Sequence, residues 1–229
     1  LHDGYRNLKV VARGVDTQRF TPARRSNCLR AAWGVRPDDL VALYVGRLAA
    51  EKNLPLVLRA FAVMRARQPS AKLVLVGDGP LRGELARIFP DTIFAGMRMG
   101  LDLATFYASG DVFLFPSLTE TFGNVTLEAM ASGLAVIAYD YAAARELIAH
   151  RENGLLAPFD AADTFCALAG EVAAEPRTVR TFGAAARQTA EDMNWSTIYS
   201  QFEQALFDVV KTSERNGYAA THEFSSRPA

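Results

Sequence analysis

Arg47 and Lys52 close behind an apolar run, and together they suit one kind of ligand. A guanidinium forks onto phosphate oxygens and an ammonium adds a point charge, so the pair can neutralise a diphosphate. Farther along, Asp111-Val112-Phe113-Leu114-Phe115 stops at Pro116, a polar turn carries Glu120, and Gly123-Asn124 opens a small, apolar run with Glu128 set inside it. This pattern reads as a buried strand, a turn and a buried helix whose start is loosened by glycine. A helix N-terminus presents unpaired N–H groups and positive potential, so it can hold a phosphate. A carboxylate embedded in apolar sequence is costly to bury alone, and sugar hydroxyls can partner it. Phosphate and hydroxyls on one ligand describe a nucleotide sugar.

Plainer readings stand beside these. Arg47 can be solvated, Lys52 can pair with Glu51 or Glu120, and a lone Glu in a helix is usually wet. Gly77-Asp78-Gly79-Pro80-Leu81-Arg82-Gly83 invites a dinucleotide reading, but its glycine spacing departs from that fingerprint and the next strand ends at Gly96 without an acidic residue for a ribose. It reads instead as a turn that shapes the floor of a cleft. His2, His150 and His222 are scattered, with no nucleophile at a strand end to form a hydrolase triad. Asp-x-Asp pairs suited to Mg²⁺ are absent as well. No metal or cofactor is therefore expected, and Arg, Lys and helix amides must do the electrostatic work.

The elements that would position these residues alternate along the chain. Apolar strands are expected at 40–46, 72–76, 92–95, 111–115, 134–138 and 155–157, with helices between them and three more at 161–174, 176–192 and 196–211. Asn53 is placed to cap the helix that begins near Pro55. Such alternation means an α/β fold, a parallel sheet with helices on both faces. Right-handed crossovers then bring the loop after every strand to one edge, where ligands bind in such folds. Arg47, Lys52, Gly77-Asp78, Gly96-Met97 and the stretch from Glu120 to Asn124 all fall there.

The bulk numbers exclude several classes. Lys+Arg and Asp+Glu both number 25 in 229 residues, so no general field favours nucleic acid or an anionic membrane. Cys28 and Cys166 lie far apart without metal-type spacing and read as reduced, buried thiols of a cytosolic protein. No apolar run approaches the roughly 20 residues of a membrane span, and no signal-peptide pattern is visible. The chain opens at Leu1 without Met and reads as a piece of a longer protein, while residues 216–229 are polar and aperiodic and are expected to be disordered.

Taken in order, these stretches resemble the C-terminal domain of the retaining family-4 glycosyltransferases (glycosyl transferases group 1), which pair two Rossmann-like domains in the GT-B fold. The resemblance rests on Gly14-Val15-Asp16, Phe20-Thr21-Pro22, Tyr44-Val45-Gly46-Arg47-Leu48, Glu51-Lys52-Asn53, Gly77-Asp78-Gly79-Pro80 and Phe94-Ala95-Gly96. It continues through Tyr107 and Asp111, Phe115-Pro116-Ser117, Glu120, Phe122-Gly123-Asn124, Leu127-Glu128-Ala129-Met130-Ala131, Glu146 and Asn153-Gly154-Leu155-Leu156. It implies that Arg47 and Lys52 bind the donor diphosphate and that Glu120 and Glu128 form the Glu-x₇-Glu motif. Glu120 would lie near the transferred sugar, and Glu128 would take the ribose hydroxyls. Phe122, Gly123, Asn124 and Val125 would cap the phosphates through their amides, Met97 and Arg98 would run along the nucleobase, and Gly46, Gly77 and Asp78 would line the donor cleft.

The resemblance further implies sugar transfer with retention and without a metal, leaving-group charge being stabilised electrostatically. Residues 1–22 would end the interdomain connection, 23–215 would form the donor domain, and the last long helix, with Trp195 and Tyr199, would cross back to an N-terminal domain that carries the acceptor site. The isolated chain would then be inactive. Local wording is most similar to GDP-mannose-dependent α-mannosyltransferases, with UDP-sugars open and the acceptor unidentified. The implied location is cytoplasmic, with any peripheral membrane contact made by the other domain. Alternatives are a nucleotide-sugar 2-epimerase of the same architecture and a non-catalytic nucleotide-binding module.

Overall fold

The computed structural model describes residues 11–120 and 123–215. The expected tail at 216–229 and most of the apolar run at 8–12 lie outside the described residues. Strands β1 (Val41–Val45), β2 (Lys72–Val76), β3 (Ile93–Gly96), β4 (Val112–Phe115), β5 (Ala135–Tyr139) and β6 (Leu155–Ala157) form one six-stranded sheet in the order β3-β2-β1-β4-β5-β6. Every pairing is parallel, as in Val41 opposite Lys72 and Val112 opposite Ala135. The unbroken apolar runs of β1, β4 and β5 are buried on both faces, which is why they lack polar alternation.

Helix α1 (Asn27–Ala32) precedes the sheet, and α2 (Leu54–Arg67), α3 (Arg82–Ile88), α4 (Gly100–Ser109), α5 (Asn124–Ala131) and α6 (Ala142–Leu147) connect its strands. Right-handed crossovers place α2 and α3 on one face and α4, α5 and α6 on the other. After β6, α7 (Ala162–Ala174) packs beside α2, α8 (Pro176–Asp192) packs against α5 and β5, and α9 (Trp195–Arg215) follows. This is a Rossmann-like sheet wrapped on both faces.

Residues 11–22 are fixed to this body. Val15 and Phe20 are buried in the core. The Val15 amide donates to the Met193 carbonyl at 3.0 Å. The Arg187 guanidinium of α8 donates to the carbonyls of Phe20 (2.8 Å) and Ala131 (2.7 Å), which ties the segment to the end of α5.

Two expectations need correction. Asn53 precedes α2 in the left-handed region (φ 53°) and makes no side-chain cap, because a short 3₁₀ turn, Ala50–Lys52, brings the chain into the helix. Cys166 is buried, but Cys28 is exposed: α1 starts only at Asn27, after the Ser26 cap, and Asn27 and Cys28 face outward while Arg30 turns into the core.

Candidate functional site

The strand order reverses between β1 and β4, since their successors leave in opposite directions. Loops diverging at such a point leave a crevice beyond the carboxyl ends of the strands. The β1 loop is braced on both sides of it. The Leu48 amide donates to the Asp78 carbonyl at 2.9 Å, and the Leu118 amide after β4 donates to the Glu51 carbonyl at 3.1 Å. Gly46 and Gly77 let the first two loops touch: φ at Gly77 is +135°, and a Cβ there would stand 1.9 Å from the Gly46 carbonyl oxygen. The glycine turn after β2 thus serves close backbone packing along the cleft floor.

Lys52 spans the crevice. Its Nζ donates to Ser117 Oγ at 3.2 Å and to the Thr119 carbonyl at 2.9 Å, and it stands 5.8 Å from the centre of the Phe115 ring. Neither Glu51 nor Glu120, the partners its plainer reading suggested, takes that ammonium. Arg47 is close to its plainer reading, with a side chain 69% exposed and Glu51 at 4.0 Å. Its backbone is pinned nonetheless, because the Tyr44 hydroxyl donates to the Arg47 carbonyl at 2.9 Å. One cation is held at the centre and the other reaches outward.

The Glu120 carboxylate accepts the Gly123 amide at 3.1 Å, so it borders the start of α5. Gly123 itself is left-handed (φ +69°), and a Cβ on it would meet the Ala143 Cβ at 1.9 Å. Asn124 and Val125 form the first turn of α5, where amides lack intrahelical partners. Phe122 lies outside the described residues. Asp78 accepts from the Gly79 amide (2.8 Å) and pairs with Arg82 (3.2 Å). Met97 and Met99 are 70% and 76% exposed after β3, whereas the Arg98 head is folded back onto the Ala95 carbonyl, Asp102 and the Phe106 ring. Arg98 therefore braces its own turn.

Glu120 and Glu128 open onto different hollows on either side of α5. A water-sized void of about 10 Å³ borders Glu120, with Ser117, Thr126, Tyr139 and Tyr141 around it. A cavity of about 190 Å³ is lined by Glu128, Asn124, Asp16, Arg19, Phe20 and Trp195, among others. Burial raises the Glu128 pKa, and the Tyr107 hydroxyl and the Arg19 charge offset this only in part. A larger hollow of about 490 Å³ lies at the opposite end of the sheet, between Phe61, Arg65, Lys72 and Asp91, and holds none of the expected site residues. Asp16 stood in a stretch that carries the resemblance and Trp195 on the last helix, but neither they nor Arg19 were read as walls of the Glu128 cavity, because they meet α5 only through tertiary packing. Among the described residues no group of His, Cys, Asp and Glu could hold a metal ion.

The arrangement offers cations and a helix start at a crevice, flanked by two carboxylates. The GDP-mannose-dependent alpha-mannosyltransferase of Corynebacterium glutamicum is 37% identical over 213 residues, covering 93% of this chain and 50% of that protein. The enzyme of the same name from Mycolicibacterium smegmatis is 39% identical over 186 residues, covering 81% and 48%. The chain thus spans about half the length of these curated relatives. Among solved structures, Anabaena HepE in complex with UDP superposes with a TM-score of 0.75 at 25% identity, covering 87% of this chain and 57% of that one. The family described as glycosyl transferases group 1 matches residues 39–174, and the chain belongs to it.

Proposed function

We propose that this chain is the donor-binding part of a retaining hexosyltransferase that moves a sugar from a nucleoside diphosphate sugar to an acceptor held elsewhere in the protein. The observation that carries the reading is Lys52, anchored from the β1 loop to Ser117 and Thr119 of the β4 loop at the point where the strand order reverses. An ammonium held there by neutral oxygens keeps its charge for a ligand, and Arg47, on the same loop, keeps its side chain largely in solvent. The diphosphate would lie between this pair and the first turn of α5. As the sugar leaves, negative charge grows on the β-phosphate, and donors already in place stabilise it without reorganising.

In this reading Glu128 takes the ribose hydroxyls, Glu120 faces the transferred sugar, and the exposed turn at Met97 and Arg98 runs along the base. Gly46, Gly77 and Asp78 shape the floor, and the amides of Phe122 to Val125 cap the phosphates. GDP-mannose is the favoured donor, because the relatives named above depend on it; the UDP bound to HepE keeps a uridine donor in play. Residues 1–22 end the connection to another domain. Trp195, Tyr199, Phe202 and Leu206 form an exposed apolar stripe at helical spacing on α9, as expected of a helix that another part of the protein covers. Among the described residues no helix is long and apolar enough to cross a membrane, and we place the protein in the cytoplasm with any membrane contact made outside this chain.

Calorimetric titration of GDP and of UDP into the folded chain tests this. One of them should bind, and no heat from either at millimolar concentration would count heavily against the reading. Arg47→Ala and Lys52→Ala should each weaken binding of that nucleotide by roughly 1.5–3 kcal/mol, the range for charged hydrogen bonds. Unchanged affinity in both variants would remove the phosphate site.

A further inference from the structure

Beneath the Glu128 cavity lies a hydroxyl that the proposed reaction leaves unused. Tyr107, near the end of α4, is fully buried. Its ring is fixed edge-on against Phe20 (centroids 5.7 Å apart) and tilted against Phe113 (5.9 Å). Its Oη makes no hydrogen bond with the described residues. Leaving a buried hydroxyl unsatisfied costs about 1–3 kcal/mol, and a phenylalanine would fill the same space without that cost. Helix α4 packs against α5, which carries Glu128, and Phe20, which meets the Tyr107 ring, lines the same cavity as Glu128.

The two groups are coupled although no hydrogen bond of good geometry joins them. Burial raises the Tyr107 pKa first, and the Glu128 charge raises it further. Burial likewise raises Glu128, and the Tyr107 hydroxyl is the largest influence acting the other way. The remaining charged groups around the cavity are Arg19 and Asp16 on the preceding turn, while α9 brings the uncharged Trp195. Arg19 pairs with Asp16 at 3.4 Å, so its charge is shared. Tyr107 is thus a buried donor coupled to Glu128 from the core.

We propose that Tyr107 is a positioning residue for Glu128: its hydroxyl takes one carboxylate oxygen from below when a ligand diol takes the other from the cavity. The bond reaches full geometry on binding, which accounts for a donor kept in the core beside a carboxylate that it influences but does not bond well at rest. An ionised carboxylate accepts at both oxygens, so a fixed donor on one side orients the other side toward the pair of ribose hydroxyls. This inference rests on the assignment of Glu128 to the ribose.

The test compares the tighter binding of GDP and UDP with its 2′,3′-dideoxy analogue, in the unmodified chain and in Tyr107→Phe. The unmodified chain should prefer the ribonucleotide. Tyr107→Phe should lose about five- to tenfold of ribonucleotide affinity, the worth of one hydrogen bond, with dideoxynucleotide affinity unchanged. A structural defect would weaken both ligands alike. Independently of any ligand, a carboxyl NMR titration should place the Glu128 midpoint higher in Tyr107→Phe than in the unmodified chain. If the unmodified chain discriminates and Tyr107→Phe matches it for both nucleotides, the role of Tyr107 is overturned while Glu128 stays the ribose ligand. If the unmodified chain does not discriminate, the ribose assignment fails and takes this inference with it.

Discussion

Glu128 sets ligand binding against stability at one residue. Burial raises its pKa, so the folded chain holds that proton more tightly than the unfolded chain does. For such an acid the sign is fixed: stability falls as pH rises from the ordinary carboxylate range through the folded value, and the penalty is complete above it. Glu128→Gln keeps the shape and removes the charge. It should raise the thermal midpoint near pH 7, with the gain over the unmodified chain closing as pH drops below the ordinary carboxylate range, while nucleoside diphosphate affinity falls. Scanning calorimetry across that range decides it, and a midpoint lowered at neutral pH would reject the account. The residue types at Arg47, Lys52 and Glu128 were legible in sequence because charge beside apolar runs is costly to place without purpose. The anchors of Lys52 were not. Ser117 and the Thr119 carbonyl are remote in sequence, whereas Glu51 and Glu120 stood out by proximity or by opposite charge. Tyr107 was legible as part of the resemblance, but the use of its hydroxyl was hidden, since an aromatic residue in an apolar helix reads as core.

At the scale of elements, periodicity did most of the work. The strand at 72–76 and the helix at 176–192 fall where the apolar pattern puts them, because β2 is buried from Leu73 onward and α8 keeps one apolar face. The turns were less legible, since their conformation depends on what packs over them; the left-handed Asn53 is one case and the start of α5 is another. Gly123 was readable as a loosened helix start, but its contact with the α6 turn was not. Gly123→Ala faces two costs there. The left-handed conformation is worth about 1–2 kcal/mol against a residue with a Cβ, and the Ala143 Cβ at 1.9 Å must move as well. Urea unfolding should therefore show a loss beyond the conformational cost alone, and Ala143→Gly in the same chain should recover the steric part. A double variant no more stable than Gly123→Ala would mean that Ala143 is not the obstacle.

Across the whole molecule, the site and the main polar support of the fold sit at opposite edges of the sheet. The alternation of strands and helices told the fold class, but the order β3-β2-β1-β4-β5-β6 depends on long-range pairing that no local pattern encodes. That order is what puts β1 beside β4, and it does so at both ends. At the carboxyl ends it opens the crevice that Lys52 spans. At the amino ends it brings Asp111, just before β4, to the amide of Val41 in β1 at 2.8 Å. The same carboxylate takes Arg25 at 2.8 Å and Arg30 at 3.1 Å, and so holds the approach to α1 and α1 itself against the sheet. The Arg30 side chain is 1% exposed and also donates to the carbonyls of Ser109 (2.8 Å) and Asp39 (2.5 Å). Its charge is therefore committed to the interior, and Asp111 is the carboxylate paired with it. Asp111→Ala leaves that guanidinium buried without its counter-charge, a change that costs about 3–5 kcal/mol. Asp111→Asn keeps an acceptor for Val41 and should lose less. Because this cluster lies across the sheet from the crevice, both variants should bind nucleoside diphosphate with unchanged affinity at temperatures where they remain folded. Denaturant unfolding and calorimetry on the same preparations separate the two effects. A stable Asp111→Ala chain would show that Arg30 needs no counter-charge, and a folded one with weakened nucleotide binding would show that the two edges are coupled through the sheet.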